Sequence, residues 1–295
     1  ANESDGRLAG LGGSETGTLP ALVNRVPRGA IAGFAGRHDL VEMARVLMGW
    51  IPDGRQQDDW NRLRQLGRGL LVGFDLFDDV LPALGRNWGT YIVASTSETA
   101  GQSPLDAVVG VELPPPGQIA RGKITLRDGL DNALETTLHL IVSFDNEETT
   151  KNTADVATET TQAGTHIRSI KAGKTLKPAY ALTADHLVVG TSPDSLKEFI
   201  GLDADKSLAT DPAFRSTARR YFPLESQLLY VNVSAIRRVI TDHGALLSSR
   251  IAGSEDISLE ASAQRVEMLN DLLQAFDTVF VSVHFGSRRS RLIWG

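Results

Sequence analysis

Three short β-type segments lie close together within residues 164–191. They cover residues 165–171, 178–183 and 186–191. The turn residues Ala172-Gly173 and Ala184-Asp185 separate them. Consecutive strands joined by short turns pair antiparallel, because a parallel pair needs a crossover of a dozen or more residues. The sequence therefore predicts a central antiparallel meander.

The same order of predicted elements occurs twice in the chain. A strand, two helices and two strands are predicted over residues 26–113, and the same five elements over residues 222–295. Each unit begins next to a proline, Pro27 in the first and Pro223 in the second. Because five elements agree in order, we predict an internal strand-helix-helix-strand-strand duplication in which both units fold alike.

Length and composition favour one folded unit. The chain has 295 residues, of which 41% are apolar and 22% charged, and these values are close to globular averages. We predict an α+β fold, with helices packed on a mainly antiparallel sheet. Residues 1–24 lack periodicity, so we expect a flexible N-terminal arm there and a single globular domain over residues 25–295.

Capping residues mark several predicted helix starts. They are Asp39, Ser192, Asp211, Ser234 and Ser258. Residues 145–161 differ from these regions, because they consist of Thr, Glu, Asn and Asp with almost no apolar side chain. Such a segment gains little from burial, so we predict a solvated helix end or a mobile loop there.

Charge and composition argue against several classes of function. The net charge of −6 offers no basic field for nucleic acid, and we interpret the local arginine groups as solvated faces. These groups are Arg219, Arg220, Arg288, Arg289 and Arg291. The absence of cysteine excludes disulfides and Cys-based metal sites. No apolar run approaches the roughly 20 residues of a membrane helix, so we expect no transmembrane segment in this sequence.

No complete catalytic or cofactor-binding motif occurs in the sequence. The six histidines lack metal-ligand spacing, and no G-x-S-x-G elbow is present. Residues 10–14 are glycine-rich, but no strand precedes them and no helix follows. Residues 172–175 end like a phosphate loop but lack its first glycine. We therefore expect no cofactor, and the sequence favours a protein without enzymatic activity.

Asp75, Asp78 and Asp79 are the candidate metal ligands. Three carboxylates within five positions could hold Mg²⁺ or Ca²⁺, or raise one another's pKa. Their spacing is not that of an EF-hand loop, and apolar residues lie between them. We favour the alternative that they form an acidic helix start facing solvent.

Trp88 is the candidate residue for ligand or partner contact. It follows the string LPALGRN over residues 81–87, whose proline and glycine predict a rigid turn leading into a strand. A structural role is the simpler interpretation of Trp88, and a binding role is the second.

Short motifs resemble an uncharacterised bacterial family, domain of unknown function 3352. The similar strings are residues 78–85 (DDVLPALG), 178–181 (PAYA), 186–196 (HLVVGTSPDSL) and 208–214 (LATDPAF). Together they cover much of residues 75–235. The resemblance implies export behind an N-terminal signal or anchor, and it supplies no activity and no catalytic residues.

Three hypotheses about function follow. The first is a non-catalytic extracytoplasmic module that binds an unknown protein or small molecule, or has a structural role. The second is a metal-dependent or other hydrolase that uses Asp75, Asp78 or Asp79. The third is a carrier of an apolar ligand, enclosed by a curved sheet and its helices. A periplasmic or cell-envelope location agrees with the resemblance, and the cytoplasm stays open as an alternative.

Overall fold

One antiparallel sheet of ten strands organises the protein and confirms the predicted α+β class with packed helices. The computed structural model describes residues 19–48, 56–95, 103–148, 155–171, 177–221, 227–276, 278–285 and 290–294. Within these ranges, no helix has both the length and the apolar character needed to cross a membrane.

The strands and helices have the following bounds. The sheet strands are β1 (Ala32–Arg37), β2 (Asn87–Ala94), β3 (Leu105–Glu112), β6 (Asp155–Thr160), β7 (His166–Lys171), β8 (Ala179–Leu182), β9 (His186–Gly190), β10 (Gln227–Asn232), β11 (Thr278–Phe285) and β12 (Ser290–Trp294). A separate ribbon contains β4 (Ala120–Arg121) and β5 (Ile124–Thr125). The helices are α1 (Leu40–Met48), α2 (Gln56–Leu70), α3 (Leu81–Ala83), α4 (Leu126–Glu148), α5 (Pro193–Gly201), α6 (Pro212–Tyr221), α7 (Val233–Glu255) and α8 (Leu259–Leu272).

The strand order across the sheet is β12-β11-β10-β1-β2-β3-β9-β8-β7-β6. Every neighbouring pair is antiparallel. The predicted meander is confirmed, because β7, β8 and β9 lie side by side. Of the neighbouring strands, β1 and β10 lie farthest apart in the sequence. Ala32 of β1 lies opposite Val231 of β10.

Most predicted caps are confirmed. The side chain of Asp39 accepts a hydrogen bond from the Val41 N–H at 2.9 Å. Ser192, Asp211 and Ser258 accept from backbone N–H groups at the starts of α5, α6 and α8. The prediction for α7 is wrong. There Asn232 caps the helix through the Ala235 N–H at 3.0 Å, so Ser234 lies inside the first turn.

One face of the sheet carries most of the buried core, and we call it the covered face. A 3₁₀ turn (Ala21–Arg25), α5 and α6 pack on it and bury side chains from most of the strands. The core includes Tyr91, Val108, Ile167, Val188, Leu196, Phe199, Phe214 and Leu228. Removing this apolar surface from water is the main stabilising contribution of the layer.

Two glycines let this layer approach the strands closely. Gly89 of β2 and Gly110 of β3 are opposite partners. A Cβ atom on Gly89 would lie 2.4 Å from the Phe34 carbonyl oxygen and 2.7 Å from Leu22 Cδ2. A Cβ atom on Gly110 would lie 3.2 Å from the Phe199 ring. Leu22 and Phe199 therefore occupy the space that side chains at these two positions would fill.

The opposite face, which we call the open face, is covered only in part. Helix α4 packs there against β6, β7 and β8, and Leu138 and Val142 meet Ile170 and Tyr180. A second cluster, around Phe74 and the start of α4, closes one end. In the middle strands several side chains on this face stay at least partly exposed, namely Phe34, Trp88, Thr90, Ile92, Val109, Val189 and Leu229.

The predicted N-terminal arm is wrong for its last residues. Residues 1–18 lie outside the described part of the chain. Leu22 and Val23, however, are each only 1% exposed and belong to the core of the covered face. Their burial depends on strands far along the chain, and a local pattern in residues 19–24 cannot show it.

A strand occupies part of the segment predicted as a solvated helix end or a mobile loop. Residues 145–148 do end a helix, α4, and residues 149–154 lie outside the described ranges. Residues Asp155–Thr160 then form β6, which pairs along its length with β7. The loop prediction is wrong here because backbone hydrogen bonds to β7 form a strand whose side chains are mostly polar, with Val156 as its apolar contact to the cluster around Leu138 and Val142.

The two predicted units have the same strand order. β1, β2 and β3 follow one another on one side of the β1–β10 pair, and β10, β11 and β12 do so on the other. In the first unit α1, α2 and the short α3 connect the first strand to the second, and in the second unit α7 and α8 do so. A shared order is required by a duplication but does not establish common ancestry. The duplication therefore stays a prediction.

We expect Gly89→Ala to lower the free energy of unfolding by about 1–3 kcal/mol, because the new Cβ meets a backbone oxygen that cannot move aside. The control is Gly69→Ala in α2, where a Cβ has nothing within 4 Å. There alanine is expected to stabilise the helix by about 0.5–1 kcal/mol. Urea denaturation measures both variants. Equal stability of Gly89→Ala and the wild type would contradict the close-packing argument.

Candidate functional site

Asp75 caps the helical turn that follows it. Its Oδ1 accepts hydrogen bonds from the backbone N–H of Phe77 at 2.9 Å and of Asp78 at 3.1 Å. The turn Leu76–Val80 is π-helical and continues into α3. Asp75 is only 2% exposed, so the prediction that all three carboxylates face solvent is wrong for this residue. A cap of this kind stabilises the turn by satisfying otherwise unpaired N–H groups.

An arginine pairs with each of the three candidate carboxylates. The pairs are Arg68 with Asp75 at 2.9 Å, Arg64 with Asp78 at 3.0 Å and Arg121 with Asp79 at 2.6 Å. Asp79 Oδ2 also accepts from the backbone N–H of Asp75 at 2.7 Å. Each carboxylate thus already has a cationic partner, which a metal ion would have to displace. Among the described residues, no group of three or more His, Cys, Asp or Glu side chains could hold a metal.

The environment of Asp75 lowers its pKa. Burial acts to raise the pKa, but the backbone hydrogen bonds from Asp78 and Phe77 and the charges of Arg64 and Arg68 outweigh it. The folded pKa is therefore below the ordinary value of 3.8. The ionised Asp75 carboxylate therefore stabilises the folded state. This contribution is fully present above pH 3.8 and is lost as the pH falls through the lower pKa of the folded state.

Asp75→Asn is expected to lower the free energy of unfolding at pH 7 by about 1–2 kcal/mol, because an amide is a poorer partner for the cap and for Arg68. The difference from the wild type should narrow as the pH falls below 3.8, where the wild-type carboxylate is also losing its charge. Urea titrations over a pH series test this.

The matched control is Asp78→Asn, whose side chain is 60% exposed and paired at the surface. It is expected to cost at most about 1 kcal/mol. A penalty for Asp75→Asn that does not change with pH would contradict an electrostatic role.

Divalent cations are expected to leave the melting temperature unchanged, because the three carboxylates already have cationic partners. A bound metal at a hundredfold excess over its Kd would add about 2.7 kcal/mol of stability. Thermal melts with millimolar Mg²⁺, Ca²⁺ and Mn²⁺ make the comparison. A rise of several degrees that an Asp75→Asn, Asp78→Asn double variant abolishes would favour the metal-dependent hydrolase.

Trp88 lies on the open face beside two other rings. Its ring centroid is 5.0 Å from that of Phe34 and 5.8 Å from that of His38. The indole N–H is buried and has no hydrogen-bond partner in the described structure. Leaving such a donor unpaired costs free energy, so an acceptor atom reaching this position would be stabilised. Trp88 thus keeps its place as a candidate for ligand contact.

Apolar side chains near Trp88 are exposed in the middle of the sheet. Val109 is 42% exposed, Val189 38% and Leu229 37%, although β3, β9 and β10 are all interior strands. The residue before each of them (Val108, Val188 or Leu228) points to the covered face and is at most 3% exposed. The strand register places five residues in one row: Leu229, Phe34, Thr90, Val109 and Val189. Contiguous exposed apolar surface of this kind marks interaction sites.

A buried polar group that the sequence did not indicate lies on the covered face. The Tyr91 hydroxyl is buried without a hydrogen-bond partner among the described residues. Burial, and then the charges of Glu198 and Asp106, raise the pKa of Tyr91. Asp106 in turn accepts a hydrogen bond from the Thr191 hydroxyl at 2.9 Å. Tyr91 therefore stays protonated at neutral pH and is not an activated nucleophile.

A cavity of about 490 Å³ opens between α5 and the β6–β7 hairpin. Ile167 and Ile200 contribute apolar lining, and Glu159 and Lys197 contribute charged lining. Lys197 Nζ lies 2.9 Å from Glu159 Oε2 and 3.0 Å from an oxygen of Asp194. The sequence did not indicate this site, because no strand was predicted over the residues of β6. The threonines between residues 155 and 160 were the available signal, since threonine favours strands.

No family model, curated protein or solved structure matches the chain. The resemblance to domain of unknown function 3352 therefore stays a prediction, and the candidate sites depend on geometry alone.

Proposed function

We propose that this chain is a non-catalytic, extracytoplasmic binding module and that it docks a partner protein on the open face. The observation that carries the proposal is the exposed row through Val109, Val189 and Leu229. An antiparallel sheet can leave one face to water, but that face then normally carries polar side chains, whereas here valine and leucine side chains are exposed in its middle. The apolar area available there is free to stabilise a complex.

The occupant that fits this face is the apolar side of a helix. The row crosses five strands, roughly 19 Å at a spacing of about 4.8 Å per strand. A helix with its side chains is about 10–12 Å wide. Helix α4 already lies on the adjacent strands β6, β7 and β8 of the same face. A partner helix would extend this layer across the sheet.

The remaining parts of the proposal have separate support. A role without catalysis is supported by the pairing of Asp75, Asp78 and Asp79 with arginines. The extracytoplasmic location is supported by the family resemblance of the short motifs.

A carrier of an apolar ligand is the second candidate. The unpaired indole N–H of Trp88 favours it, since a ligand with an apolar chain and an oxygen acceptor would satisfy this donor beside Phe34. The same surface thus supports two occupants that differ in size.

The test uses two probes on the wild-type chain. One is a dye-labelled amphipathic peptide of leucine and lysine with about 18 residues, roughly 27 Å as a helix. The other is a dye-labelled fatty acid. Docking of a helix predicts saturable binding of the peptide, weakened about tenfold or more in a Val109→Thr, Val189→Thr double variant. Threonine keeps the shape and the strand preference of valine.

Leu66→Gln is the matched control, because Leu66 is 65% exposed and lies on helix α2, outside the strands that form the row. It is expected to leave both probes unaffected. Tight binding of the fatty acid that Trp88→Phe weakens would favour the carrier instead. If neither probe binds, or if the threonine variant binds both normally, the proposed function is wrong.

A further inference from the structure

Strand β6 is an edge of the sheet, and half of its main-chain groups face outward. The Thr161 N–H donates to the Thr165 carbonyl, and the Ile170 N–H donates to Pro178 on the β8 side. Bonded and non-bonded pairs alternate along an antiparallel ladder. In this register Val156, Thr158 and Thr160 direct their N–H and C=O groups away from β7.

Two of these outward N–H groups are available. The side chain of Asp155 accepts from the Val156 N–H at 2.8 Å, so that donor is already satisfied. In the part of the chain that the structure describes, the N–H groups of Thr158 and Thr160 make no hydrogen bond. β6 contains no proline, and most of its residues are exposed. An uncovered edge of this kind can pair with another strand.

The cavity beside α5 lies on the side to which an added strand would project. Glu159 pairs with Ile167 and shares its face of the sheet, and both residues line the cavity. A strand added to β6 would direct every second side chain toward that face. The volume of about 490 Å³ lies within the range of ligand pockets, roughly 300–1,000 Å³.

The charges at the cavity favour a basic partner. Lys197 is paired with both Glu159 and Asp194, so these three side chains carry a net charge of −1 at neutral pH. A lysine or arginine of the incoming strand would meet one carboxylate that Lys197 does not neutralise.

We propose that β6 and α5 form a peptide-binding groove, in which an extended segment of a partner protein adds to β6 as a further strand. An apolar side chain of the segment enters the cavity, and a flanking lysine or arginine meets Glu159 and Asp194. Main-chain hydrogen bonds provide affinity and the cavity provides selectivity. This surface is separate from the open face, so the groove and the proposed function can fail independently.

The probe is a dye-labelled, acetylated peptide of about seven residues with leucine at alternate positions and a lysine at each end. Fluorescence anisotropy is expected to show saturable binding, about tenfold tighter than for the same peptide with glutamate ends. Thr158→Pro removes one outward N–H and should weaken binding about tenfold. Proline is tolerated at an edge position whose N–H faces solvent. Thr158→Val keeps the N–H and is the matched control.

Two measurements on the wild-type chain do not depend on the folding of a variant. N-methylation of the peptide at one set of alternate residues should weaken binding about tenfold, while methylation of the other set should not. Amide exchange at Thr158 and Thr160 should slow when the peptide is bound. Absence of saturable binding, or binding insensitive to N-methylation and to Thr158→Pro, overturns the proposal. A wild-type dimer that Thr158→Pro converts to a monomer would identify a second copy as the occupant and also overturn it.

Discussion

The close approach of side chains to the backbone at Gly89 and Gly110 determines how the protein distributes its layers. Leu22 and Phe199 pack where these residues have no Cβ, which holds the 3₁₀ turn and α5 against the sheet. Helices α5 and α6 then cover the same face. On the opposite face α4 packs mainly against β6, β7 and β8, and the middle strands keep exposed valine and leucine side chains. Close packing on one face thus accompanies an accessible apolar surface on the other.

Features specified by neighbouring residues could be predicted from the sequence, and features specified by distant residues could not. The caps at Asp39 and Ser192 were predictable, because a cap involves residues within one turn. Burial of Leu22 was not, since it depends on Gly89. Asp75 shows both cases: its place at a helix start was predictable, but its pairing with Arg68 across a turn was not. β6 was missed because an edge strand with polar side chains lacks the apolar alternation that marks a strand.

The two proposed surfaces use different interactions and would select partners differently. The open face offers apolar area, which stabilises a complex without fixing a register. The edge of β6 offers directional main-chain groups, which fix the orientation and alignment of an incoming segment. A partner with an amphipathic helix joined to an extended basic segment would engage both. The second contact would then be intramolecular, and overall affinity would exceed that of either contact alone.

The pairing of β1 with β10 has a consequence for synthesis of the protein. Ala32 cannot meet Val231 until most of the chain has left the ribosome, which takes on the order of 10–40 s at usual elongation rates. During that time β1 lacks one of its two neighbours, and its edge is open to pairing with other nascent chains. Slow elongation or a high local concentration of ribosomes on one message would therefore increase misassembly. Chaperones that hold extended segments would be needed most before residue 231 emerges.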